Sequence, residues 1–355
     1  MKVEENTQKQ VEQQLHPQRI LFPILLGFVG IGYLGWRDFD AAFLKSIQWN
    51  GKTLVWLAAA VALLVGRHLL LSYRLRAITD RFFSWWKSIQ LMLIWEFSAA
   101  ISPTSLGGSL VAFFILAKEK LSAARTTTAV LYTIVLDTAV FLLLIPVLVI
   151  FQGPLGIRPY VTQWLELEVW GWSLLTFYFI MLLYGLFFFL GLFVYPLWIR
   201  WLLVRSTRLP FLRRFRQRAI ETGNDIVLAA GALRQKPLLY HLQMFGVSFV
   251  AWAMRFLILN CVLLAFVPDL AFDWRSQFLI FSRTAFIYLF MAFMPTPGSS
   301  GIVELVFNGF LKDFTPPSLA FVVASVWRLL SYYIYLFVGL FVTSFWLRRI
   351  LRRRA

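Results

Sequence analysis

Long apolar runs, separated by short polar or basic links, fill the chain from Ile20 to Leu347. Runs of about 20 residues or more match a helix that crosses a bilayer's hydrocarbon core. Nothing shows the alternation of about ten residues that marks a lipid-facing barrel strand. The pattern therefore predicts an all-α polytopic membrane protein with about six full transmembrane helices, over residues 20–36, 53–73, 125–151, 169–199, 238–267 and 317–346.

Two further runs break in the middle. Residues 88–117 break at Ser102-Pro103-Thr104-Ser105-Leu106-Gly107-Gly108-Ser109, and residues 276–311 at Pro295-Thr296-Pro297-Gly298-Ser299-Ser300-Gly301. Proline and glycine interrupt a membrane helix only where other groups satisfy the freed backbone. The arms of the first run hold about 15 residues each, roughly 22 Å of helix, short of a core of about 30 Å. Each broken run predicts a re-entrant helical hairpin.

The hairpins also organise a repeat. Pro103 to Asp137 is 34 residues and Pro295 to Arg328 is 33, each span comprising a breaker, a half-helix, a polar link and a long helix with one buried charge. Entry from opposite sides makes this an inverted-topology repeat, an architecture that places a transport site at the midplane. The expected organisation is a polar tail over 1–19 and one membrane domain over 20–347. Within it lie a first half of about 53–199, a basic segment of 200–236 and a second half of about 237–347, before a basic tail over 348–355.

Composition agrees: 60% of the 355 residues are hydrophobic and 14% charged, against roughly half and a quarter in soluble domains. The net charge of +17 gathers beside the apolar runs, where the positive-inside rule and anionic lipid account for it without nucleic acid. On that rule the links 74–87, 118–125 and 198–236 and both termini face the cytoplasm, and 152–168 and 267–275 lie outside. Residues 211–233 read as an amphipathic surface helix, with Leu212, Phe215, Ala219, Ile226 and Leu233 on its apolar side. The tail over 1–19 lacks a signal peptide's basic start, so the first run is expected to be retained.

Candidate chemistry sits in the breaks and in the charges between them. A half-helix that begins inside the membrane offers unpaired N–H groups and a positive dipole end, a natural seat for phosphate. Ser102, Thr104, Ser105 and Ser109 at one break, and Thr296, Ser299 and Ser300 at the other, can cap those ends or bind a ligand. Gly107, Gly108, Gly298 and Gly301 allow close approach. Asp137, Arg255 and Arg328 lie near the middle of their helices, with Glu96 and Glu304 on hairpin arms, and intramembrane charges turn inward. Arg255 and Arg328 suit a lipid phosphate, and Asp137, Glu96 and Glu304 would balance them or take a cationic head group or a proton. The alternative is a network that only fixes packing, such as Asp137 with Arg328. Arg67, His68 and Arg283 lie nearer helix ends, where they could snorkel; Arg283 remains a candidate site residue.

Enzyme chemistry finds little support. His16, His68 and His241 are scattered, and no nucleophile elbow, Walker A or dinucleotide fingerprint occurs, so neither metal nor cofactor is expected. Cys261 is the chain's sole cysteine, which excludes an intramolecular disulfide.

With these residues in view, the chain resembles the transmembrane flippase region of the lysylphosphatidylglycerol synthases and its stand-alone bacterial relatives. The resemblance runs from about Leu75 to Phe345. It rests on the Pro- and Gly-rich hairpin before the helix of Asp137, on the later Pro295, Gly298, Gly301 and Glu304, and on Arg328 in VASVWRLLSYY. It implies a lipid-flippase fold with two re-entrant hairpins. The family's acid after the first glycine pair, and the arginine beyond it, are replaced by Ser109 and by Val111 to Phe113. Because the sequence stops soon after the last helix, the soluble aminoacyl-transferase domain is expected to be absent.

The function expected is movement of a phospholipid, or a polyprenyl-phosphate-linked lipid, between leaflets of a bacterial inner membrane. The other class is a non-transporting partner that presents lipid to an envelope-assembly enzyme. Partners are then a membrane lipid phosphate, with a homo-oligomer and a separate lipid-modifying enzyme left open.

Overall fold

The computed structural model describes residues 49–102, 105–161, 163, 168–294, 296, 299 and 302–352. The expected tail 1–19 and helix 20–36 lie outside them, as do Pro103, Thr104, Pro295, Pro297, Gly298, Ser300 and Gly301. The described residues form helices without strands: α1 (Gly51–Ile78), α2 (Trp85–Ile101), α3 (Ser105–Lys118), α4 (Ala123–Gln152), α5 (Glu168–Phe189) and α6 (Pro196–Ser206). There follow α7 (Arg216–Arg234), α8 (Leu238–Phe266), α9 (Trp274–Met291), α10 (Ile302–Leu311), α11 (Pro317–Arg328) and α12 (Ile334–Arg352). Among these residues five spans are long and apolar enough to cross a membrane: Gly51–Ile78, Ala123–Gly156, Gly171–Val194, Leu238–Phe266 and Leu319–Ile350. The chain is an all-α polytopic membrane protein.

Polar caps fix where several helices begin. Asn50 accepts from the Thr53 N–H, Ser84 from Lys87, Ser122 from Arg125 and Asp273 from Ser276, each satisfying one of the first-turn donors. The Ser276 N–H also holds the Asp273 carboxyl below its ordinary range.

Both broken runs do break. In the first, α2 and α3 are 17 and 14 residues long, about 26 and 21 Å, and they pack on each other. Lys87 near the start of α2 pairs with Glu119 just past α3, so the two outer ends sit together. In the second, Arg283 of α9 donates to the Phe310 carbonyl of α10 at 3.1 Å and pairs with Asp313 beyond it. Each run folds back along itself.

Helices α1 and α8 pack antiparallel along their length. At one end, Thr53 Oγ1 donates to the Ala265 carbonyl and Lys52 Nζ to Pro268, both at 3.1 Å. At the other, Lys236 pairs with Asp80 at 2.6 Å. Each leads into two further helices and then a long span. Residues at or near the links meet in two separate groups. Lys87, Glu119 and Trp346 form one, where Trp346 Nε1 donates to Glu119 at 2.6 Å; Leu155, Arg283 and Asp313 form the other.

Three boundaries differ from expectation. Helix α1 continues to Ile78, so Arg74 lies inside it and is 3% exposed, rather than in a cytoplasmic link. The expected helix 169–199 ends in a π-turn at Leu190–Val194, and α6 restarts at Pro196, because proline lacks the N–H needed to continue the ladder. The basic segment forms a 3₁₀ turn, Pro210–Phe215, and then α7, which packs on α4 and α6. Its Ile226, Ala229, Ala230 and Leu233 are buried. Of the expected apolar side, Ile226 and Leu233 are thus covered by protein, while Phe215 and Ala219 are half-buried.

Candidate functional site

The chain's polar centre lies where α1 and α8 each bring an arginine to α2. Arg67 is residue 17 of α1 (67 − 51 + 1) and Arg255 residue 18 of α8 (255 − 238 + 1). Both side chains reach one carboxylate, Glu96 of α2. Arg67 Nη2 reaches Glu96 Oε1 at 3.0 Å, and Arg255 Nη1 reaches Oε2 at 3.5 Å.

The two arginines are held differently. The Arg67 side chain is 6% exposed, and its Nη1 donates to Tyr335 Oη of α12 at 2.9 Å. Arg255 has only long contacts, to Glu96 and to the Ser331 carbonyl at 3.5 Å. Its guanidinium lies 4.9 Å from the Tyr288 ring centre and 5.6 Å from that of Trp252. Around it, Arg255 Nε, Tyr288 Oη and Ser331 Oγ are buried without a hydrogen-bond partner among the described residues. Trp327 Nε1 is likewise unpartnered, on a ring whose centre is 6.1 Å from that of Tyr288. Buried polar groups are ordinarily satisfied, so a cluster left open marks where water or a ligand's polar group belongs.

The same region joins both broken runs. Tyr332 Oη, in the π-turn Leu329–Tyr333, donates to the Ala100 carbonyl at the end of α2 at 3.2 Å. Phe97, Ala100 and Ile101 pack there on Tyr332, Tyr333 and Leu336. Gly339 makes this approach: a Cβ on it would lie 2.4 Å from Phe97 Cβ. From the second run, Tyr288 and Phe307 meet Trp327. Arg328, 1% exposed, sits between these contacts with its guanidinium 4.3 Å from the Tyr332 ring centre. A π-turn disturbs the regular helical ladder, and such turns gather at functional positions.

Other expected site residues fall elsewhere. Asp137 is met by Arg74, with Nη2 to Oδ2 at 3.1 Å, and by Trp252 Nε1 at 3.1 Å. Arg74 Nη1 also donates to Ser248 Oγ at 2.8 Å. The acid's partner thus comes from α1, and not from Arg328 as in the packing-only alternative. Arg283 does not snorkel. It is fully buried, donates to the Leu155 and Phe310 carbonyls at 3.1 Å and pairs with Asp313. Arg67 is likewise buried, while His68 Nε2 lies 3.2 Å from the Ile89 carbonyl. Ser102 and Ser299 turn back on their own backbone, to the Ser98 carbonyl at 2.7 Å and the Met291 carbonyl at 2.8 Å. Thr296 Oγ1 is buried without a partner among the described residues, and Ser109 is half-buried in α3. Ser105, Gly107 and Gly108 lie in the first turn of α3 and Glu304 in α10; their side chains lie outside the described residues, as do Thr104, Gly298, Ser300 and Gly301 altogether.

Sequence reasoning read Arg67 as a snorkelling side chain and Arg74 as part of a link, and passed over Tyr288, Trp252 and Tyr335. A signal existed for the first: Arg67 and Arg255 stand at similar counts from the starts of two long helices that each precede a broken run.

Fold and polar centre together define a multi-pass α-helical membrane protein with charge buried between two folded-back helix pairs. Residues 20–339 match the lysylphosphatidylglycerol synthase TM region, and the chain belongs to that family. It is also similar to a UPF0104 membrane protein of Archaeoglobus fulgidus, 26% identical over 309 residues that cover 80% of this chain and 85% of the relative. No solved structure matches.

Proposed function

We propose that this protein lets lipid head groups cross a membrane, with the lipid phosphate passing the open side of Arg255 while the acyl chains stay in the bilayer. The observation that carries this reading is the unpartnered cluster of Arg255 Nε, Tyr288 Oη and Ser331 Oγ between the two helix pairs. A phosphate supplies the acceptors these donors lack, and its charge matches a guanidinium that shares its carboxylate with Arg67. Family membership supports lipid as the cargo class. On this reading the folded-back pairs are re-entrant, their inner ends border the path, and the basic end faces the cytoplasm. No nucleophile and base enter the reading, so the protein moves its lipid unaltered.

Purified full-length protein in liposomes, with head-group-labelled lipids of several classes and a membrane-impermeant quencher, tests this. Faster loss of inner-leaflet label than in protein-free liposomes is expected for at least one phosphate-bearing lipid. Equal rates for every head group would remove the reading and favour a non-transporting lipid-presenting partner.

A further inference from the structure

Away from the polar centre, a cleft of about 780 Å³ opens at the end of the molecule where α2 starts and α12 finishes. Its walls include Trp86, Leu93 and Phe345, and its charged groups are Lys87, Glu119 and Arg349. Trp86 is 82% and Phe345 68% exposed, a combination that suits the level where acyl chains meet head groups. The acid is already engaged, since Glu119 takes Lys87 and the Trp346 N–H. Arg349 is exposed and makes no ion pair among the described residues. Apolar walls beside a free guanidinium and a lysine thus form an amphipathic slot with a surplus of positive charge.

We propose that this cleft holds one anionic phospholipid of the adjoining leaflet, with its phosphate at Arg349 and Lys87 and its acyl chains along Leu93 and Phe345. The lipid phosphate competes with Glu119 for Lys87, so Glu119 sets how tightly the lipid is held. The inference does not depend on head groups crossing the membrane, because it concerns binding at one face.

Native mass spectrometry of the detergent-solubilised full chain, titrated with phosphatidylglycerol or phosphatidylcholine, tests it. The native protein should retain phosphatidylglycerol in preference. Arg349→Gln should weaken that retention about fivefold, the scale of one basic residue near an anionic lipid. Arg208→Gln, an exposed charge elsewhere on the basic surface, should leave it unchanged, and Glu119→Gln should strengthen it by releasing Lys87. Equal retention of the two lipids, or the same loss from Arg208→Gln as from Arg349→Gln, would overturn the assignment. So would displacement by an equal concentration of soluble glycerol phosphate, since the apolar walls would then contribute nothing. Native retention of phosphatidylglycerol without lipid movement in liposomes would sink the transport reading and leave this one standing.

Discussion

Arg67 and Arg255 stand at similar counts from the starts of two antiparallel helices and share Glu96, yet they are not equivalents. Arg67 has a short ion pair and a phenol, at 3.0 and 2.9 Å. Arg255 has two contacts at 3.5 Å and a buried Nε with no partner among the described residues. Position alone therefore does not assign a role to a buried charge. Saturation does: a guanidinium whose donors are taken holds helices together, and one whose donors are open can hold something that comes and goes.

The contrast breaks most severely at the shared acid. Glu96→Gln leaves two buried guanidinium groups without a countercharge, and breaking a buried pair costs about 3 to 5 kcal/mol. The expected outcome is a large fall in thermal unfolding temperature in detergent. Next comes Arg67→Gln, which removes the nearer of Glu96's two cations and the donor to the Tyr335 phenol, and should cost about 3 kcal/mol on the same assay. A crowding test is comparable: Gly339→Leu pushes α12 off Phe97 and should lower stability by about 1 to 3 kcal/mol. Arg255→Gln should be the mildest for stability, at about 1 kcal/mol, because the native guanidinium bonds Glu96 and the Ser331 carbonyl only at 3.5 Å. If Arg255→Gln destabilises as much as Arg67→Gln, the difference between the two arginines collapses.

Much of this architecture can be read along the chain. The helices and the two broken runs follow from runs of apolar residues punctuated by proline and glycine. The broken runs are legible because Pro103 and Pro295 interrupt otherwise unbroken apolar stretches, and caps such as Asp273 mark their own helix starts. Pairing is not legible. Arg74 looks like the first residue of a basic link, since a helix long enough to span already ends at Tyr73; only tertiary structure shows α1 running on to bring Arg74 to Asp137. Arg283 near a helix end reads as a snorkelling side chain, and only the return of α10 and the link beyond it reveals the carbonyls and carboxylate that enclose it. The segment 200–236 has the composition of a surface helix, but its packing on α4 and α6 depends on tertiary neighbours that no local pattern encodes.

The most direct test sets the two arginines against each other in one assay. Rates of head-group movement in liposomes would be measured for the native protein, Arg255→Gln and Arg67→Lys, each shown to be folded and inserted by its unfolding transition. The account predicts that Arg255→Gln falls to the protein-free rate while Arg67→Lys, which keeps a cation beside Glu96, retains most of the native rate. An Arg255→Gln protein that moves lipid as fast as the native one would contradict it.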